Sequence, residues 1–86
     1  MPILTMPRVF MNDHLERCSA HPGERIILTE NKRSMTVSLN DEAFADFVSD
    51  AQHYASGYGP DEPSCRGYIT SARACLNLLH KRGFLT

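Results

Sequence analysis

The sequence predicts an α+β fold: a small antiparallel sheet packed on two C-terminal helices. Residues 25–39 pair as a hairpin on three independent criteria, and residues 41–56 and 64–82 carry apolar residues at helical spacing. The 86 residues are read as one domain, 1–86, because two would each fall well below the usual domain size. With 42% hydrophobic and 22% charged residues, the composition excludes a disordered chain, a collagen and a coiled coil.

Residues 1–8 (MPILTMPR) hold two prolines and read as an extended lead-in, a third strand if it joins the sheet. Its apolar residues Ile3, Leu4, Met6, Val9 and Phe10 suit either closure of the protein's own sheet or exchange across a two-fold axis, so monomer and homodimer both stay open. A short helix follows over about 12–20. Asn12 supplies a cap, Met11, Leu15 and Cys18 share a face, and His21-Pro22-Gly23 ends it.

In the hairpin, a two-residue turn at Asn31-Lys32 sets Glu30 against Arg33, Thr29 against Ser34, Leu28 against Met35 and Ile26 against Val37. Lys tolerates positive φ poorly, so a longer loop with shifted pairing is the alternative. Asn40 then caps a helix with Asp41 and Glu42 in its first turn, where the dipole favours anions. Phe44, Phe47, Val48, Ala51 and Ala55 form its apolar face, and GYGPDEP (57–63) is a loop. On the last helix Cys65, Ile69, Ala72, Leu76 and Leu79 align. Gly83 follows its C-cap, and Phe84 folds back on Leu79.

The net charge of −1, from nine Lys and Arg against ten Asp and Glu, argues against a strongly basic nucleic-acid binder. It conceals an asymmetry. Residues 41–62 hold six acids and no Lys or Arg, whereas residues 63–86 hold four bases and no acid. Arg66, Arg73 and His80 recur every seven residues as a stripe on the last helix, and Asp46 and Asp50 line the helix before it. One reading has these charges meeting across a solvated seam between the two helices. The other makes them a docking face for a protein partner, with Tyr58 in the intervening loop as an aromatic anchor.

His14, Cys18 and His21 fall at i, i+4 and i+7, a donor set that suits zinc, with Cys65, Cys75 or His53 available as a fourth ligand. Cys18 also belongs to the apolar face and Pro22 frays the helix at His21, so Cys18 reads as a buried small hydrophobe and no metal and no cofactor is expected. The three cysteines lack C-x-x-C spacing, and no apolar run approaches the ~20 residues of a membrane span. A reducing cytoplasmic setting without membrane attachment is the expectation. No nucleophile motif or phosphate-binding glycine pattern appears, so an enzyme is not expected.

The C-terminal run SARACLNLLHKRGFLT resembles the recognition helix of winged-helix DNA-binding domains, which often end Leu-x-x-x-Gly-apolar-apolar, here Leu79, Gly83, Phe84 and Leu85. The resemblance implies that Ser71, Arg73, Asn77 and His80 face DNA. A C-capped amphipathic helix accounts for the same residues. The leading expectation is a small non-enzymatic interaction protein that regulates or inhibits a larger macromolecule. Phage and mobile-element accessory proteins, inhibitors of host defence among them, are often chains of this kind. A winged-helix-like DNA-binding regulator is the alternative.

Overall fold

In a computed structural model, which describes residues 2–56 and 66–85, the chain forms β1 (Ile3–Pro7), α1 (Arg8–Arg17), β2 (Arg25–Glu30), β3 (Ser34–Leu39), α2 (Asp41–Ala55) and α3 (Arg66–Lys81). The sheet is antiparallel in the order β1-β3-β2, so the lead-in does become a third strand and β3 lies at the centre. The fold is the expected small α+β. Alternation along β3 sets its two faces: Met35, Val37 and Leu39 are buried under the helices, while Ser34, Thr36 and Ser38 are only partly covered. Opposite them on β1, Leu4 and Met6 are buried, and Thr5 and Thr36 share a hydroxyl hydrogen bond of 2.9 Å on the other face. The core is completed by Phe10 and Met11 of α1, Ala43, Phe47 and Ala51 of α2, and Ala72, Cys75 and Leu79 of α3.

Helix α1 begins at Arg8, four residues before the predicted Asn12 start. Pro7 (φ −52°) leads straight from strand into helix, but it has no capping side chain. Two distant groups satisfy the orphan donors. The Arg8 N–H donates to Arg33 O at 3.0 Å, and the Phe10 N–H donates to the buried Ser71 hydroxyl of α3 at 3.0 Å. The earlier start makes Phe10, Met11 and His14 the buried face of α1, with Cys18 buried just beyond it and Leu15 only partly covered.

The hairpin takes the longer loop. Asn31 N–H donates to Ser34 O at 2.8 Å, Glu30 pairs with Met35, and Ile27 pairs with Val37. A bulge between Ile27 and Thr29 leaves Leu28 out of the register, so neither Leu28–Met35 nor Ile26–Val37 forms as expected. Gly23 (φ 108°) precedes β2, and a Cβ there would lie 2.5 Å from the Ala43 backbone nitrogen.

The Asn40 cap holds as predicted, its side chain accepting from Ala43 N at 2.9 Å. Helix α3 buries Ser71, Ala72, Cys75 and Leu79, a stripe turned slightly from the predicted one, with Leu76 partly covered. Gly83 (φ 81°) ends it. Its N–H donates to His80 O, and Phe84 N–H donates to Leu79 O at 2.9 Å. The Phe84 ring turns onto Phe44, centroids 5.7 Å apart. Among the described residues, no helix is long and apolar enough to cross a membrane.

Candidate functional site

Two features stand out: a polar knot where α1, the following turn and α2 meet, and an open strand at the sheet edge. Asp46 and Asp50 sit one helical turn apart on α2. Asp50 accepts from Arg17 through both terminal nitrogens, at 3.1 and 2.8 Å, and from His14 Nδ1 at 2.8 Å. Asp46 accepts from Arg25 Nη2 at 2.6 Å and pairs with His21 Nδ1 at 3.0 Å. Arg25 Nε–H points at His14 Nε2 at 3.4 Å, which leaves the ring proton of His14 on Nδ1, facing Asp50. Arg17 also donates to Asp13 at 2.6 Å and stacks its guanidinium over the Tyr54 ring at 4.6 Å.

Burial raises the Asp50 carboxyl, but the hydrogen bonds from His14 and Arg17 outweigh it and hold the group at about 2. Burial opposes the charge of the Arg17 guanidinium, but Asp50 and Asp13 outweigh it and push the group upward. Burial, and then the charges of Asp50 and Asp46, push the Cys18 thiol up. Donor atoms of His14, Cys18 and Asp46 lie within 4.8 Å of one another. Two of these come from the predicted trio of His14, Cys18 and His21. Asp46 joins them, and His21 lies against Asp46.

Asp46 and Asp50 of α2 are therefore matched by α1, the turn after it and the start of β2, and among the described residues no ion pair joins them to α3. The sequence hides this because the matching bases, Arg17 and Arg25, lie in the other half of the chain. On α3, Arg73 Nε donates to Ala55 O at 3.1 Å and closes the C-terminal end of α2. Arg73, Asn77 and His80 are exposed, while Ser71 is turned inward to Phe10 rather than outward as a DNA-facing residue. Tyr58 and the Arg66 side chain lie outside the described residues.

The sheet's two edges differ. At the β1 edge, Pro2 and Pro7 lack N–H donors, and Arg82 Nη1 donates to Thr5 O at 2.8 Å. At the β2 edge neither a proline nor a side chain closing a strand carbonyl is present among the described residues; its protection is the bulge at Leu28 and the charges of Arg25 and Glu30 at its ends. Ile26, Ile27 and Leu28 are 42%, 48% and 51% exposed, and β2 packs almost wholly against β3. A groove of about 440 Å³ runs beside it, with Leu15 and Ile27 as its apolar lining and Ser19, Gly23, Glu24 and Arg25 completing it. Lys32 and Arg33 are exposed at the hairpin tip and border a second cleft of about 430 Å³ together with Arg8, Val9 and Tyr68.

Sequence reasoning missed this edge because the predicted register sent Ile26 and Leu28 inward. Three successive apolar residues in a strand that needs only one buried face were the available signal. No protein-family profile, no curated protein and no solved structure matches the chain.

Proposed function

We propose that the protein is a small non-enzymatic interaction protein that takes an extended segment of a larger protein partner onto β2, and regulates or inhibits that partner by holding it. The observation that carries this reading is the open apolar edge formed by Ile26, Ile27 and Leu28. Proteins blunt such edges with charge, proline, a bulge or a covering element, and an edge left without a covering element is open to strand addition. Main-chain hydrogen bonds supply affinity, and alternate side chains of the added strand enter pockets that set specificity. The groove lined by Leu15 and Ile27 suits one apolar side chain of the added strand. Lys32 and Arg33 favour an acidic residue at the end of that strand nearest the hairpin tip. The bulge at Leu28 bends the edge, so indiscriminate pairing is disfavoured and a strand of matching curvature is selected.

Selection from a random peptide display library tests the reading. Immobilised protein should enrich peptides with apolar residues at alternate positions and an acidic residue at one end, and the Ile27→Lys variant should not. Enrichment of the same peptides by both proteins would contradict it. So would a stable dimer through β2 that captures no peptide, since the occupant would then be a second copy.

A further inference from the structure

The geometry points to a zinc site formed by His14 Nε2, Cys18 Sγ and an Asp46 carboxylate oxygen, with His21 as fourth ligand. Its donors are not those of the strand-addition reading, and the two share only the groove beside β2. Donor atoms of His14, Cys18 and Asp46 lie within 4.8 Å of one another, and His21 Nδ1 lies 3.0 Å from Asp46 Oδ2. Zinc sits about 2.0–2.3 Å from its ligands, so donors sharing one ion are roughly 3.5 Å apart, and the site has to contract by about 1 Å. His14, Cys18 and His21 come from α1 and the turn after it, and Asp46 comes from the facing helix, so the donors are drawn from two elements and not from one helix face. One imidazole, one thiolate, one carboxylate and a second imidazole suit zinc far better than magnesium or calcium.

Two arrangements around the donors support the assignment. His14 is fully buried, and its Nδ1–H is fixed on Asp50 at 2.8 Å. That bond leaves Nε2 as the nitrogen that can ligate, the part played by the outer carboxylate in a carboxylate–histidine–zinc triad. A cation already stands at the point where the donors meet. Arg25 reaches Asp46 through Nη2 at 2.6 Å, but its approach to His14 Nε2 is long, at 3.4 Å, and its bonds to the His21 and Pro22 carbonyls are 3.3 Å. Zinc therefore displaces one short ion pair and three long contacts. Arg25 opens the edge strand and lines the groove beside it, so the displaced guanidinium has room there. On binding, the Cys18 thiol gives its proton to solvent and the sulfur becomes a thiolate ligand.

The test is titration of the chelator-treated full chain with Co2+ and then Zn2+. One Co2+ per chain is expected, with the visible absorption of tetrahedral cobalt and a near-ultraviolet thiolate-to-cobalt band, both removed by Zn2+. Cys18→Ser should lose the near-ultraviolet band, whereas Cys65→Ser and Cys75→Ser should keep it. Asp50→Asn should weaken binding roughly 10–100-fold, and Arg25→Gln should tighten it by removing the competing cation. X-ray absorption of the zinc-loaded wild type, which depends on no variant folding, should show a single sulfur ligand. A wild type without the near-ultraviolet band, a band that survives Cys18→Ser, or a zinc shell without sulfur would overturn the assignment.

Discussion

Arg17 grips Asp50 with both terminal nitrogens, Nη1 at 3.1 Å from Oδ1 and Nη2 at 2.8 Å from Oδ2, and the pair ties α1 to α2. The geometry is bidentate, and the Asp50 side chain is only 13% exposed, so this pair resists solvent screening better than an ordinary surface ion pair. It also explains how a chain with acids concentrated in one segment keeps that segment folded against the rest.

Asp50 is faced by Arg17 and His14 from α1, and its carboxyl is held at about 2, below its ordinary 3.8. A depressed carboxyl stabilises the fold above the unfolded-state value, and that contribution is lost as pH falls through the folded value. Urea unfolding in chelator-containing buffer should therefore show stability falling between about pH 4 and pH 2. In Asp50→Asn that fall should be reduced. An acid limb identical in the variant would place the acid-sensitive group elsewhere.

Ser71→Ala removes the acceptor for the buried Phe10 N–H, the donor that α1 cannot satisfy with a capping side chain of its own. The loss should be about 1–2 kcal/mol in chemical denaturation. Ser71→Thr keeps the hydroxyl and should recover part of it.

Gly23→Ala should cost about 2 kcal/mol or more. The residue has φ 108°, and its new methyl group would meet the Ala43 backbone, which has no flexible end to move aside. A variant as stable as wild type would show that the turn before β2 repacks freely.

Ile26→Lys and Leu28→Lys should each leave stability within about 0.5 kcal/mol of wild type, because both side chains already stand half in water. Val37→Lys, one strand inward and fully buried, should unfold the protein. A large loss at Leu28 would mean that the edge is packed and not open.

Local rules carried much of the fold. Asn40 ahead of Asp41 and Glu42 marked the start of α2, and Gly83 before Phe84 marked the end of α3, since each signal is complete within a few residues. The start of α1 was not legible, because the groups that satisfy its first donors are Arg33 O and the Ser71 hydroxyl, distant in sequence. The hairpin register failed for a related reason: opposing apolar residues fit two pairings, and the longer loop with its bulge is a backbone choice with weak side-chain signature. Of the polar knot, His14 and Cys18 were legible from spacing on one helix. Asp46 and Arg25 joined them only through the packing of α2 against the turn after α1.

The central claim is that β2 is the binding edge, and backbone amide NMR of the labelled protein with a selected peptide tests it most directly. Binding by strand addition predicts slowed amide exchange and the largest shifts within residues 25–30, with smaller shifts at Leu15 and Ser19 beside the groove. Largest changes on α3, at Arg73, Asn77 and His80, with β2 unaffected, would contradict it and move the binding surface to that helix.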